Sequence, residues 1–319
     1  MKSNPNAVLS AKSLHYFLRL IENMSYTQTA NSLGITQPAL TQQVKKLEHA
    51  VGAPLFIQIG KKLTLTPAGE ELEKTAHKLF ATVNEAVDNI QQYTDPTSGH
   101  ISIGVLDVME TRVLEEFLIH YHQLHPSVTI SSELYNRSTL WNKLNSGDVD
   151  LAMTYLPDNN LSQETMKSYY VKKIYSDSLV FLSHGAGKQS SEELIDKKWV
   201  SYTKDSYLQQ VMNQYYKIHE LDHAPDVVAR FSATYQLIQF AQANEEYNTF
   251  VTNSFYQAHR SKITMHPVQL NPVIYFDNSF VLRRTKQSIP RIEKFLNTWD
   301  EYLAQKDYAS RLDDVETLI

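Results

Sequence analysis

The sequence predicts a chain in two parts: an N-terminal all-α winged helix-turn-helix with a long linker helix, then a C-terminal α/β domain of two lobes. Three observations predict it. Residues 25–72 carry two short helical patterns joined by a tight turn and followed by a hairpin pattern. Residues 67–93 carry one apolar seam of heptad spacing. Beyond Gly99, strand and helix patterns alternate, as they do where helices cover a parallel sheet.

Within the first part, Leu33-Gly34-Ile35 separates the two helical patterns. Gly34 suits the left-handed conformation that ends a helix, and Thr36 suits the cap of the next. In that next helix Leu40, Val44, Leu47 and Val51 fall within an arc of about 60° at 100° per residue, so they are expected to face the core. The opposite side is Pro38, Thr41, Gln42, Lys45 and His49. Gln pairs a donor and an acceptor with an adenine edge, Lys donates to guanine or phosphate, and Thr reaches phosphate or a thymine methyl. A plain amphipathic helix with a solvated polar face is the alternative. Pro38 in the first turn and the downstream hairpin agree with a recognition helix. Residues 55–59 and 62–66 are β-forming runs around Gly60-Lys61, a hairpin whose tip offers Lys61 and Lys62 to phosphate. Pro67, Glu70 and Glu71 then open a long helix, where proline and acids are favoured.

Leu14 and Phe17, Ser25-Tyr26-Thr27 and Ala30, Gln37-Pro38-Ala39, Leu47-Glu48, Gly52, Leu55-Phe56 and Leu65-Thr66-Pro67-Ala68-Gly69 together form a pattern. It resembles the DNA-binding domain of LysR-type transcriptional regulators. The resemblance implies contacts to double-stranded promoter DNA through Thr27, Gln37, Pro38, Thr41, Gln42, Lys45, Lys61 and Lys62. Two positions depart from the family pattern: Thr29 replaces the first alanine of a pair, and Gln58 stands where an arginine commonly follows Leu-Phe.

The seam of Leu72, Ala76, Leu79, Val83, Ala86, Ile90 and Tyr93 gives the long helix one narrow apolar stripe. Its length and its exit into the polar stretch 94–99 favour pairing with a second copy over packing within the chain. Family resemblance implies the same, with Leu72, Leu79, Val83 and Ile90 at the contact of a homodimer or homotetramer. The expected organisation is residues 1–66 for the winged helix-turn-helix, 67–93 for the linker helix, 94–99 for a hinge and 100–319 for the regulatory domain.

Composition constrains function further. At 319 residues and 42% hydrophobic content the chain can bury two or three cores. The absence of cysteine excludes disulfides, thiol switches and cysteine metal sites. A net charge of −5 is unusual for a DNA binder until it is divided: residues 1–66 hold 7 Lys and Arg against 2 Asp and Glu, leaving 23 against 33 in the remainder. With no membrane-length apolar run and no signal-peptide pattern, a cytoplasmic location is expected, without membrane partners.

After the hinge the patterns read strand 101–105, helix 113–125, strand 128–134, helix 138–145 and strand 149–153. A second unit opens near 175–182 with a further strand at Trp199-Val200, and residues 273–282 with helix 289–303 return to the first. The chain thus crosses between the lobes near 172 and 270. The run Gly147-Asp148-Val149-Asp150-Leu151-Ala152 resembles the family's effector-binding domain, which is periplasmic-binding-protein-like. A small-molecule effector is then expected between the lobes, where strand ends and helix N-termini meet. Matching positions are Asp107 after the first strand, Ser138 and Thr139 after the second, and Ser201 and Thr203 after Trp199-Val200. Asp107 and Ser138 have helix capping as their plain alternative. Asp107, Glu245 and Glu246 favour a cationic or neutral hydroxyl-bearing effector over a dicarboxylate, unless Arg137 or Arg230 compensates.

Other chemistries are weaker. His219-Glu220-Leu221-Asp222-His223 fits a zinc-hydrolase motif, but Pro225 follows closely, Asp222 replaces an apolar neighbour and no third ligand is identifiable. His120, His122 and His125 read as a polar helix face. There is no phosphate loop and no nucleophile elbow. The expectation is a non-enzymatic, effector-responsive regulator with no cofactor and no metal; the alternative is a solute-binding sensor with vestigial DNA binding.

Overall fold

The computed structural model describes residues 9–313 apart from 61, 92, 94, 159–160, 162, 186–196 and 219–224. It divides into two compact units, one holding residues 1–87 and the other almost all of 88–319.

In the first unit, α1 (Ala11–Asn23) opens on a reciprocal cap: Ser10 Oγ accepts from the Ser13 N–H while Ser13 Oγ accepts from the Ser10 N–H. Ser25 caps α2 (Tyr26–Ser32), and Thr36 caps α3 (Gln37–Val51) through the Ala39 N–H at 3.3 Å. Gly34 turns the chain between them at φ +64°. Leu14, Phe17, Leu20, Ala30, Leu40, Val44, Leu47 and Leu55 form the core. Val51, expected there, is 40% exposed, because Gly52 at φ +79° ends the helix and reverses the chain. Leu55, just after the turn, is fully buried in the same core.

The wing is an antiparallel pair, β1 (Phe56–Ile59) and β2 (Lys62–Leu65), in register from Phe56 opposite Leu65 to Ile59 opposite Lys62. Glu48 fastens it to α3 by accepting from the Leu55 N–H at 2.8 Å. Thr66 then caps α4 (Pro67–Gln91), accepting from the Gly69 N–H at 3.0 Å while donating to the Pro54 carbonyl. Here glycine is sterically required: a Cβ on Gly69 would lie 2.3 Å from the Leu55 carbonyl oxygen.

The second unit contains a nine-stranded mixed sheet. Its first lobe is β3 (Gly99–Leu106), α5 (Arg112–Leu124), β4 (Val128–Tyr135), α6 (Arg137–Ser146) and β5 (Leu151–Leu156), with β4 and β5 parallel to β3 on either side. After the short α7 (Gln163–Met166), β6 (Tyr169–Ser183) runs the length of the sheet into the second lobe. There β7 (Lys198–Tyr202), α8 (Tyr207–Ile218), β8 (Asp226–Phe231), α9 (Thr234–Gln242) and β9 (Tyr247–Thr252) repeat the pattern, with β7 central between β8 and β9. α10 (Asn253–His259) and β10 (His266–Gln269) follow, and β11 (Tyr275–Arg283) returns between β5 and β6. α11 (Pro290–Gln305) and α12 (Tyr308–Asp313) pack against α5. Phe117 of α5 anchors this layer, meeting Phe295 and Trp299 edge-on at 5.1 and 4.7 Å. Among the described residues no helix is long and apolar enough to cross a membrane.

Candidate nucleic-acid interface and effector cleft

With Leu40, Val44 and Leu47 buried, the opposite side of α3 is open. Gln37, Pro38, Gln42, Lys45 and His49 are exposed, as are Thr27 on α2 and Lys62 on the wing. Thr27 donates to the Gln37 side chain at 3.0 Å, which joins the end of α3 to α2. Thr41 is half-buried and its hydroxyl donates to the Gln37 carbonyl one turn back, leaving its oxygen as an acceptor. Lys45 and Lys62 have no ion-pair partner among the described residues, so their charges face solvent. Lys61 lies outside the described residues.

The apolar seam on α4 divides into two. Leu72, Ala76 and Phe80 pack on the winged-helix core of their own chain, Ala76 completely. Leu79, Val83 and Ile90 are 43, 52 and 69% exposed. Leu72, expected at a contact between copies, therefore has its apolar surface engaged within the chain. The physical reason lies at the start of the helix: Thr66 caps it and Gly69 seats it against Leu55 and Leu65, so its first turns pack on the winged-helix core.

In each lobe the central strand ends at an equivalent point. The Asp107 N–H donates to the Tyr135 carbonyl at 2.9 Å, and the Thr203 N–H to the Phe231 carbonyl at 3.1 Å. Asp107 and Thr203 thus stand at the carboxyl ends of β3 and β7, where the strand order reverses and crevices form. Both are half-buried. Burial, reinforced by the Asp205 carboxylate, pushes the Asp107 carboxyl up to about 6. Asp107 in turn raises the buried Tyr202 phenol, after burial itself.

The other expected positions behave differently. Ser138 is exposed and donates to Asn136 Oδ1, which also accepts from the Thr139 N–H at 2.9 Å. Asn136 is thus the cap of α6, in place of Ser138. Ser201 is buried with its hydroxyl donated to Gln209, so it offers no surface to a ligand. Glu245 and Glu246 precede β9, and Glu246 pairs with Lys198 at the start of β7. That is the amino-terminal edge of the second lobe's strands, the far edge from Thr203. Parallel strands place all their starts on one side, so these two carboxylates do not contribute to the charge at Asp107.

Both candidate compensating arginines are engaged internally. Arg137 grips buried Asp158 through two nitrogens, and Trp141 Nε1 donates to the same carboxylate at 2.7 Å. Arg230 donates to the Tyr202 carbonyl at 2.9 Å and to Gln209 at 3.1 Å. The lobes meet through α8: Tyr207 donates to the Pro157 carbonyl and Gln210 accepts from Arg137. Asp205, Asp158 and Gln210 belong to no motif in the sequence. Their only signal is position just after a strand or at a helix start.

The three histidines of α5 go separate ways. His120 lies tilted against Tyr302, His122 meets the Val128 carbonyl, and His125 meets Tyr121 edge-on. No group of three metal-ligating side chains occurs among the described residues. The 219–223 motif lies outside the described residues.

Comparison with known proteins agrees with this architecture. Residues 11–70 match the bacterial regulatory helix-turn-helix protein of the lysR family, and residues 94–304 match the LysR substrate binding domain. The chain belongs to the LysR family. It is 32% identical over 153 residues to the HTH-type transcriptional regulator CfxR of Cupriavidus necator, an alignment covering 48% of each chain. The chain thus spans about half the length of that curated relative. Two solved structures share the fold. A full-length OxyR from Pseudomonas aeruginosa is 17% identical, with a TM-score of 0.58, covering 97% of this chain and 99% of that one. A full-length CbnR complexed with its target DNA is 16% identical, with a TM-score of 0.52, covering 92% and 99%.

Proposed function

We propose that the chain is an effector-responsive transcription regulator that binds promoter DNA in the cytoplasm and catalyses no reaction. The observation that carries this reading is the face of α3. Its apolar side is locked into a core, while Gln37, Pro38, Gln42 and Lys45 are exposed to solvent, as is Lys62 on the wing. α3 is the element that enters the major groove, with Gln42 reading a base edge and Lys45 and Lys62 neutralising phosphates. Residues 1–66 form the DNA-binding part, 67–93 the linker and 94–99 the hinge. The exposed half of α4, from Leu79 to Ile90, pairs with a second copy to give a dimer or a dimer of dimers.

The effector binds between the lobes, against Asp107 and Thr203. Asp107 and Asp205 supply negative charge there, and Arg137 and Arg230 are already bonded to protein groups. An effector bearing an amine or several hydroxyls fits this cleft, whereas a dicarboxylate is repelled. Selection of bound fragments from the organism's own genomic DNA, followed by salt titration of the recovered sites, tests the DNA-binding reading. Retention that weakens steeply with salt is expected. Failure to enrich any fragment, with the α/β domain still binding a small molecule, would favour a solute-binding sensor.

A further inference from the structure

We propose that His259 is a proton-operated latch between the two lobes: the neutral ring ties the segment after β3 to α10, and protonation releases Arg112. Glu110 and Arg112 follow β3 in the first lobe, whereas His259 ends α10 in the second. Glu110 is 4% exposed and its two oxygens are divided. Oε1 accepts from the Arg112 N–H at 3.0 Å, and Oε2 lies 2.7 Å from His259 Nε2. On the other side of the ring, Arg112 Nη2 lies 3.2 Å from His259 Nδ1, and Arg112 Nη1 donates to the Ala258 carbonyl at 2.9 Å.

A guanidinium only donates, so Nδ1 is the acceptor and the single ring proton sits on Nε2, donated to Glu110. Both nitrogens are then used, and the ring face stacks on Phe255 with centroids 4.3 Å apart. A second proton has only Nδ1 to occupy, where it meets an arginine N–H. Charge leads to the same conclusion. Glu110 and Arg112 cancel around a neutral ring, while an imidazolium leaves excess positive charge in a largely desolvated contact. Arg112 is the less buried of the two partners and is the one that yields; Glu110 stays with the imidazolium. The elements packed on α10 add Tyr175 and Asp177 from β6, Tyr308 and Asp313 from α12, and Arg260 and Lys262 from the turn after it. Arg260 pairs with Asp313, and Asp177 is bonded to Ser254 and Tyr155. None of these bonds to the His259 ring. Because the released segment also carries Asp107, acidification loosens one wall of the cleft.

Hydrogen exchange of the full-length Asp107→Asn protein, which lacks the nearby carboxyl raised to about 6, read by mass spectrometry and corrected for intrinsic rates, tests this at pH 7.5 and 5.5 without any ligand, with each His259 variant made in the same background. With His259 intact, this protein is expected to lose protection roughly tenfold across residues 108–112 on acidification. His259→Gln keeps one donor and one acceptor but cannot titrate, and is expected to show no such change. His259→Phe keeps the ring against Phe255 without either bond, and is expected to exchange fast at both pH values. Indifference to pH with His259 intact, pH dependence that persists in His259→Gln, or full protection in His259→Phe at pH 7.5, each in the Asp107→Asn background, would overturn the latch.

Discussion

Replacing Asp107 with asparagine removes a charge that the fold holds at a cost. A carboxyl moved from its ordinary 3.8 to about 6 favours its protonated form in the native state. At 1.36 kcal/mol per pH decade this amounts to about 3 kcal/mol. The side chain is only partly buried, so solvent screening brings the figure to about 1–2 kcal/mol. The sign follows from linkage: between pH 4 and 6 the native state binds more protons than the unfolded one, so stability falls as pH rises through that window and stays lower above it. Asp107→Asn should therefore stabilise the α/β domain at pH 7.5, by about 2–6 °C in Tm, and leave it nearly unchanged at pH 4. All three tryptophans, Trp141, Trp199 and Trp299, lie in that domain, so their fluorescence reports its unfolding alone. Asp107→Asn that is destabilised at pH 7.5, or equally stabilised at both pH values, would refute the reasoning.

Three further outcomes follow from the same structure. Gln42→Ala should relax base preference at one position by roughly 1–3 kcal/mol, while Lys62→Ala weakens all sequences alike and lowers the salt slope by about one; binding-site selection and salt titration separate the two. Leu79→Asp places a carboxylate in the exposed apolar stretch of α4 and should shift the protein toward monomer in analytical ultracentrifugation, whereas a dimer of undiminished stability would show the stretch to be uninvolved. Gly69→Ala drives a methyl against the Leu55 carbonyl and should lower the calorimetric stability of the winged helix-turn-helix by about 1–3 kcal/mol.

The N-terminal elements were legible because their signals are local. Caps, a positive-φ glycine and a helical apolar period are each decided within a few residues, as at Thr36, Gly34 and Leu40 to Leu47. Val51 was misplaced because periodicity does not register that Gly52 turns the chain and hands the core to Leu55. The seam on α4 read as one stripe for the same reason: spacing shows which residues share a face, not where along the helix the partner changes from the chain's own core to solvent. Alternation of strands and helices showed the two lobes, yet the cleft depends on which strand ends converge. Glu245 and Glu246 share a sign with Asp107 but lie at the opposite edge of their lobe's strands, a fact fixed by parallel pairing of β7 and β9. Asp205 and the Glu110, Arg112 and His259 group are brought together by contacts across more than 90 residues of chain, which no short motif records.

The central claim is that occupation of the cleft changes how α3 and the wing hold DNA. Fluorescence anisotropy of the full-length protein on a genomically selected duplex, with and without an amine-bearing metabolite found by thermal shift, tests it most directly. A ligand can act only through its different affinity for the two DNA-binding arrangements, so a true effector must change DNA affinity by a measurable factor, with the same factor appearing in its own affinity when DNA is bound. That reciprocal change, abolished in Asp107→Asn, is the predicted result. An amine that binds the cleft tightly while DNA affinity stays constant would contradict the account.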